Sequence, residues 1–168
     1  SPSRGLGDVY KRQVFCKCEA PSQHWVLRLD ADDFLVSSSC IGSMLRYAKG
    51  RRLLIGSLVF FDEVEKVAET YSVHPSYRTK DALIRASAYS VPHHATLVRV
   101  DLLWDVVEKR GYAFDQGIGY GEDLDLTLEL LKKCAEEDLC FVDQPVVYKR
   151  LDGATAVSYT HLTLPTKR

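Results

Sequence analysis

Long hydrophobic runs and an excess of positive charge are both missing from this sequence. Its 168 residues contain no apolar run near the ~18 residues that a membrane-spanning helix requires. Lysine and arginine number 22 against 23 aspartates and glutamates, which gives a formal net charge of -1. Because binding to a phosphate backbone needs clustered positive charge, nucleic acid is not an expected partner.

Paired cysteine motifs and internal repeats are absent as well. The sequence has five cysteines, none of them in a CxxC pair, which argues against a zinc cluster and against a disulfide framework. Free cysteines fit a reducing compartment, so we expect a cytoplasmic location, including the cytoplasmic face of a membrane. Without repeats, low-complexity tracts or linkers, the chain is predicted to form one compact unit.

The two ends of the sequence are predicted to be non-native. Residues 8–13 (DVYKRQ) can be encoded by DNA whose reverse complement, shifted by two bases, translates as residues 157–161 (VSYTH). This pair resembles a sequencing adapter translated at both ends of a read. We therefore expect residues 1–13 and 156–168 to be foreign and residues 14–155 to be the natural segment.

Alternating strand and helix patterns in the natural segment predict an α/β fold. The expected strands are short apolar or alternating runs, and the expected helices have apolar residues at helical spacing after a polar cap. Strands are predicted at 24–29, 53–61, 66–73, 93–100, 139–142 and 146–148, and helices at 39–48, 79–87, 101–109 and 122–134.

An acidic turn follows the first predicted strand. The sequence Asp30-Ala31-Asp32-Asp33 places carboxylates where α/β sheets commonly bind ligands. Two carboxylates on such a turn suit a hard divalent cation that also holds a diphosphate. The simpler alternative is that acidic residues only mark the junction between strand and loop.

A second acidic motif, Glu122-Asp123, begins the last predicted helix. Carboxylates at a helix N-terminus interact favourably with the helix dipole, and capping alone would account for them. The functional alternative makes Asp123 a general base that takes a proton from an acceptor hydroxyl.

Four stretches resemble, in order and spacing, the family 2 glycosyltransferases. They are HWVLRLDADDFL, VPHHATLVRVDLL, GYAFDQGIGYGEDLDLTLELL and LCFVDQPVVYKR, and together they cover most of residues 14–150. The resemblance implies a partial GT-A, Rossmann-like domain, in which the N-terminal nucleotide-binding strands would precede this segment. It also implies Mg²⁺ or Mn²⁺ and an inverting direct displacement.

The resemblance assigns roles to the acidic residues. Asp32 would bind the metal, and Asp30 would contact the donor ribose or share the metal through a water. Asp33 would not contact the metal or the donor directly but would help to position these two residues. Asp123 would be the catalytic base, with Glu122 beside it.

Further residues are candidates for the donor and acceptor sides of the site. Arg150 follows the last predicted strand and is a candidate contact for the donor phosphates. His93, His94 and Tyr120 are candidates for the acceptor side. Structural histidines and a core tyrosine are the alternatives for these three residues.

The expected function is therefore the transfer of a sugar from a nucleotide-sugar donor to a hydroxyl acceptor. The acceptor is a carbohydrate, a lipid-linked molecule or a protein, and we expect the segment on its own to be inactive. One alternative is a non-catalytic GT-A-like interaction module, since a fold does not establish a function. A DxD-type phosphatase is a weaker alternative, because Phe34 stands where that motif requires Thr or Val.

Overall fold

A computed structural model describes residues 20–30, 33–62, 67–113 and 121–150. The predicted foreign ends, Asp32 and Tyr120 lie outside the described residues. Among the helices of the described part, none combines the length and the apolar character that crossing a bilayer requires.

The described chain is a mixed α/β structure, as the alternating pattern predicts. Its strands are β1 (Trp25–Leu27), β2 (Phe34–Leu35), β3 (Leu53–Asp62), β4 (Val67–Tyr71), β5 (Thr96–Arg99) and β6 (Leu139–Arg150). Its α-helices are α1 (Cys40–Leu45), α2 (Lys80–Arg85), α3 (Val100–Arg110) and α4 (Glu122–Lys133). Single 3₁₀ turns cover Pro21–Gln23, Pro75–Tyr77, His93–Ala95 and Glu136–Asp138.

The six strands form one mixed sheet in the order β1-β5-β3-β6-β2, with β4 also paired to β3. Neighbouring strands are antiparallel except β3 and β6, which run parallel. It follows that β1, β3 and β6 point the same way, so their C-terminal ends meet at one edge of the sheet. The strand β3 is long enough to pair with β5 through its first half and with β4 through its second half.

Helices cover both faces of this sheet. Successive side chains of a strand point to opposite faces, and along β3 Leu53 and Ile55 join one apolar cluster while Leu54 and Leu58 join another. We call the first the three-helix core, because it packs residues of α2, α3 and α4 against the sheet. We call the second the one-helix core, because α1 supplies its helical residues, Cys40 and Met44.

Local signals explain where the helices begin and end. The Thr79 hydroxyl accepts a hydrogen bond from the backbone N–H of Ala82 and caps α2. Gly111 ends α3 with a φ of 80°, in the left-handed region that favours glycine. The four predicted helices are confirmed, with bounds that differ by up to three residues at either end.

Two predictions about strands were wrong. The runs at 139–142 and 146–148 are one strand, β6, because the pairing with β3 continues past Pro145 through a shift in register. The predicted strand at 93–100 begins only at Thr96, because a 3₁₀ turn occupies His93–Ala95. The short β2 was not predicted, since two residues carry no detectable period.

Candidate metal and donor site

Three segments bring charged or ligating side chains to the edge where β1 and β6 end. Asp30 follows β1, Lys149 lies near the end of β6, and His94 lies in the 3₁₀ turn that precedes β5. Because β5 runs antiparallel to β1, its beginning lies beside the end of β1. From Asp30 the chain continues to β2, which pairs with the far side of β6. Because β2 runs antiparallel to β6 and Asp33 directly precedes it, Asp33 also lies at this edge. The topology of the sheet therefore assembles the site.

Asp30, Asp33 and His94 form a compact group whose ligand atoms all lie within 4.8 Å of one another. The Nδ1 atom of His94 is 3.4 Å from Oδ2 of Asp30 and 3.4 Å from Oδ2 of Asp33. The Asp33 side chain is 1% exposed, and its backbone N–H donates to the Asp30 carbonyl at 3.2 Å. This turn fixes the two carboxylates side by side.

Lys149 supplies a positive charge to the same two carboxylates. Its Nζ atom lies 3.3 Å from Oδ2 of Asp30 and 3.2 Å from Oδ2 of Asp33. The ammonium therefore bridges the two oxygens, on which His94 also converges. Two buried or half-buried carboxylates this close together would repel each other without such a cation.

The residues present fit a divalent metal ion. Oδ1 of Asp33 and Nδ1 of His94 are buried and have no hydrogen-bond partner among the described residues. Buried polar atoms are nearly always satisfied, so two orphans in one cluster point to a missing ligand. Carboxylate oxygens and an imidazole nitrogen are both common ligands of divalent metal ions in proteins.

The electrostatic surroundings keep both histidines neutral near neutral pH. Burial lowers the pKa of His94, and the charge of Lys149 lowers it further, against the opposing effect of Asp30. Burial, followed by the proximity of His94 and Arg28, lowers the pKa of His93 to about 4. A neutral imidazole keeps a lone pair on one ring nitrogen, which metal ligation requires.

Asp123 is held by Arg28, the residue that directly follows β1. Both oxygens of the Asp123 carboxylate face the Arg28 guanidinium in a bidentate ion pair. The same guanidinium lies 3.7 Å from Oδ1 of Asp30. Arg28 thus connects the first residue of the acidic turn to the acidic residue at the start of α4.

Asp123 stands between two cavities. The larger, of about 550 Å³, is bounded by β3, β4, the segment before β5 and the start of α4, and its polar lining includes His94, Glu122 and Lys149. The smaller, of about 320 Å³, is lined mainly by apolar side chains of β1, β5, α3 and α4. His93 and Asp123 line both. The Asp123 side chain therefore borders both cavities.

The predicted site residues differ in how they are placed. The structure places His93, His94, Glu122 and Asp123 around the larger cavity and groups Asp30 and Asp33 with His94. Arg150 ends β6, is exposed and is not among the residues that line this cavity. The predicted metal ligand Asp32 and the predicted acceptor residue Tyr120 lie outside the described residues.

Arg28 and Lys149 were not predicted as site residues. The sequence did contain a signal for Arg28, because it is the one charged residue in the apolar run before Asp30. In an extended chain, residues 28 and 30 lie on the same side. Lys149 had no comparable local signal, since Arg150 beside it is equally basic. The pairing of β6 with β2 brings Lys149 against Asp30 and Asp33 of the acidic turn.

Comparisons with known proteins add no family to this description. No protein-family model matches the chain, and no curated protein sequence matches it either.

Proposed function

We propose that this chain is part of a GT-A-type, inverting, metal-dependent glycosyltransferase. The observation that carries the proposal is the position of Asp123, which lines the same cavity as His94 and is tied through Arg28 to Asp30. One member of the candidate metal-binding group, His94, and the candidate base Asp123 thus line one cavity of about 550 Å³, a volume typical of ligand sites.

Asp30, Asp33 and His94 would hold Mg²⁺ or Mn²⁺ at the donor side of this cavity. When bound, the ion would neutralise negative charge that develops on the diphosphate as it leaves the sugar. Lys149 lines the same cavity, where its positive charge would also attract the diphosphate. The role of these residues is electrostatic, and they need no covalent bond to the substrate.

Asp123 would act on the acceptor. It would take the proton from an acceptor hydroxyl, whose oxygen forms a bond to the anomeric carbon of the sugar. The bond from that carbon to the diphosphate oxygen breaks at the same time, and the nucleoside diphosphate leaves with the electron pair. One displacement of this kind inverts the configuration of the anomeric carbon. Arg28 would orient the carboxylate for this step.

The test is the Mn²⁺-dependent release of nucleoside diphosphate from a panel of nucleotide-sugars by the natural protein that carries residues 14–155. We expect Asp123→Asn to lower kcat by about 100-fold or more, the usual contribution of a general base. Donor binding should be retained, because the substitution does not alter Asp30, Asp33 or His94. Asp33→Asn should instead weaken the dependence on Mn²⁺.

Asp125→Asn is the matched control. Asp125 lies in the same first turn of α4 but pairs with Arg110 and is not among the residues that line either cavity. Turnover by this variant should match that of the wild type. Equal losses in Asp123→Asn and Asp125→Asn would mean that charge at the helix start matters only for structure, and the proposed base would be wrong.

A further inference from the structure

Lys149 occupies the space between the two carboxylates that a metal ion would need. Its Nζ atom is 3.2 and 3.3 Å from the Oδ2 atoms of Asp33 and Asp30. A Mg²⁺ or Mn²⁺ ion binds oxygen at about 2.0–2.2 Å, so an ion held by both of these oxygens would need the space that the ammonium fills. An ammonium and a divalent cation cannot share that position, because they would overlap sterically and because their positive charges repel each other.

The imidazole of His94 is a third potential metal ligand in this group, and Lys149 makes no hydrogen bond to it. Nδ1 of His94 lies 3.4 Å from each of the same two oxygens, is buried and makes no hydrogen bond among the described residues. Lys149 donates to the two carboxylates but, among the described residues, to no nitrogen of His94. A metal ion can bind all three groups at once.

We propose that Lys149 is an internal counter-cation that a metal ion displaces and that then binds the diphosphate of the donor. This inference rests on the proposed function and adds that the binding of the metal and the binding of the diphosphate are coupled. Without substrate, Lys149 competes with the metal and weakens its binding. With substrate, the displaced ammonium gains a new anionic partner beside the metal, so metal and diphosphate bind more tightly together than separately.

The side chain of Lys149 has the freedom that this exchange requires. It is 28% exposed and lines the larger cavity, into which a flexible four-carbon stem can turn. Asp33, at 1% exposure, is fixed in place. The lysine can therefore move while the carboxylate remains.

The test compares the binding of two probes to the full chain by isothermal titration calorimetry. The probes are Mn²⁺ alone and the complex of Mn²⁺ with inorganic pyrophosphate, which stands in for the donor diphosphate. We expect Lys149→Met to bind Mn²⁺ alone about tenfold more tightly than the wild type, because the competing charge is gone. The same variant should bind the Mn²⁺–pyrophosphate complex less tightly than the wild type.

Lys132→Met is the matched control, because Lys132 pairs with Glu129 on the last turns of α4 and lines neither cavity. It should leave both affinities unchanged. Lys149→Gln repeats the test with a polar side chain, in case the methionine variant does not fold, as judged by circular dichroism.

The opposite changes in the two affinities distinguish this inference from a structural role of Lys149. Changes in the same direction, or equal affinities in wild type and variant, would overturn the role of Lys149 and leave the proposed metal site standing. Failure of both wild type and variants to bind Mn²⁺ at millimolar concentration would overturn the metal site and the proposed function with it.

Discussion

Gly56 lies in β3 at a point where an added carbon atom has no room. A Cβ there would lie 2.7 Å from a methyl carbon of Val146 and 3.0 Å from the carbonyl oxygen of Ala95. The pairing of β3 with β6 shifts register on either side of Ser57, the next residue. Glycine at position 56 therefore allows β6 and the segment that carries His94 to approach β3 closely.

Gly56→Ala should destabilise the protein by about 1–3 kcal/mol, the usual cost of overpacking a core. The measurement is the urea midpoint followed by circular dichroism. Gly42→Ala serves as the control, because no atom lies within 4 Å of its added Cβ and Gly42 is in α1. That substitution should stabilise the protein by about 0.5–1 kcal/mol. Equal effects at both positions would contradict the close approach at Gly56.

At the scale of elements, Asp101 connects α3 to the beginning of β3. It lies in the first turn of α3, and its carboxylate accepts hydrogen bonds from Arg99 at 2.7 and 2.8 Å and from the backbone N–H of Leu102 at 2.9 Å. Arg52, next to the first residue of β3, is 3.5 Å from the same carboxylate. Burial raises the pKa of Asp101, but Arg99 and Arg52 outweigh burial and hold it below its usual 3.8.

This lowered pKa makes the contribution of Asp101 dependent on pH. The folded state favours the ionised form, so the stabilisation is complete above the unfolded pKa and is lost as the pH falls through the folded pKa. We expect Asp101→Asn to cost about 1 kcal/mol at pH 7, a modest value for a partly exposed pair. The difference from wild type should shrink between pH 5 and pH 3.

Urea unfolding of both proteins at several pH values measures this difference. Asp105→Asn is the control, because Asp105 is more exposed and pairs only with Arg52 among the described residues. Its effect at pH 7 should be smaller than that of Asp101→Asn. A difference for Asp101→Asn that stays constant down to pH 3 would show that its charge is not what stabilises the connection.

At the scale of the whole molecule, the two apolar cores share the central strand β3. Leu54 is fully buried in the one-helix core, and Ile55 is 1% exposed in the three-helix core. Because neighbouring residues of one strand belong to opposite cores, loss of either core removes support from the other. We therefore expect the described part to unfold as one cooperative unit.

Leu54→Ala tests this expectation, with an expected cost of about 2–5 kcal/mol for a buried leucine. The chain has two tryptophans, of which Trp25 packs against the one-helix core and Trp104 lies on α3. Single-tryptophan versions, made with Trp25→Phe or Trp104→Phe, therefore report on opposite faces of the sheet. Leu54→Ala should shift both fluorescence transitions by the same amount. A shift seen only through Trp25 would mean that the two cores unfold separately.

Most of the elements could be predicted because their signals are local. The helix α4 has apolar residues at helical spacing after an acidic start, and α2 has a threonine cap, so both were predicted within one or two residues. The strands β3 and β4 were each predicted from a strand pattern, and the structure shows that they pair with each other. That β6 is one continuous strand was not predicted, because Gln144 and Pro145 interrupt its pattern. Only the pairing with β3 continues the strand across these residues.

The sequence alone determined that Asp30 follows a strand and that Asp123 begins a helix, since both depend on patterns within a few neighbouring residues. Only the tertiary structure decided that His94 and Lys149 meet Asp30, and that Arg28 joins Asp30 to Asp123. Lys149 is 119 residues from Asp30 along the chain. Contacts over such distances follow from the order and direction of strands in the sheet, which hydrogen bonding and packing of the entire chain determine together.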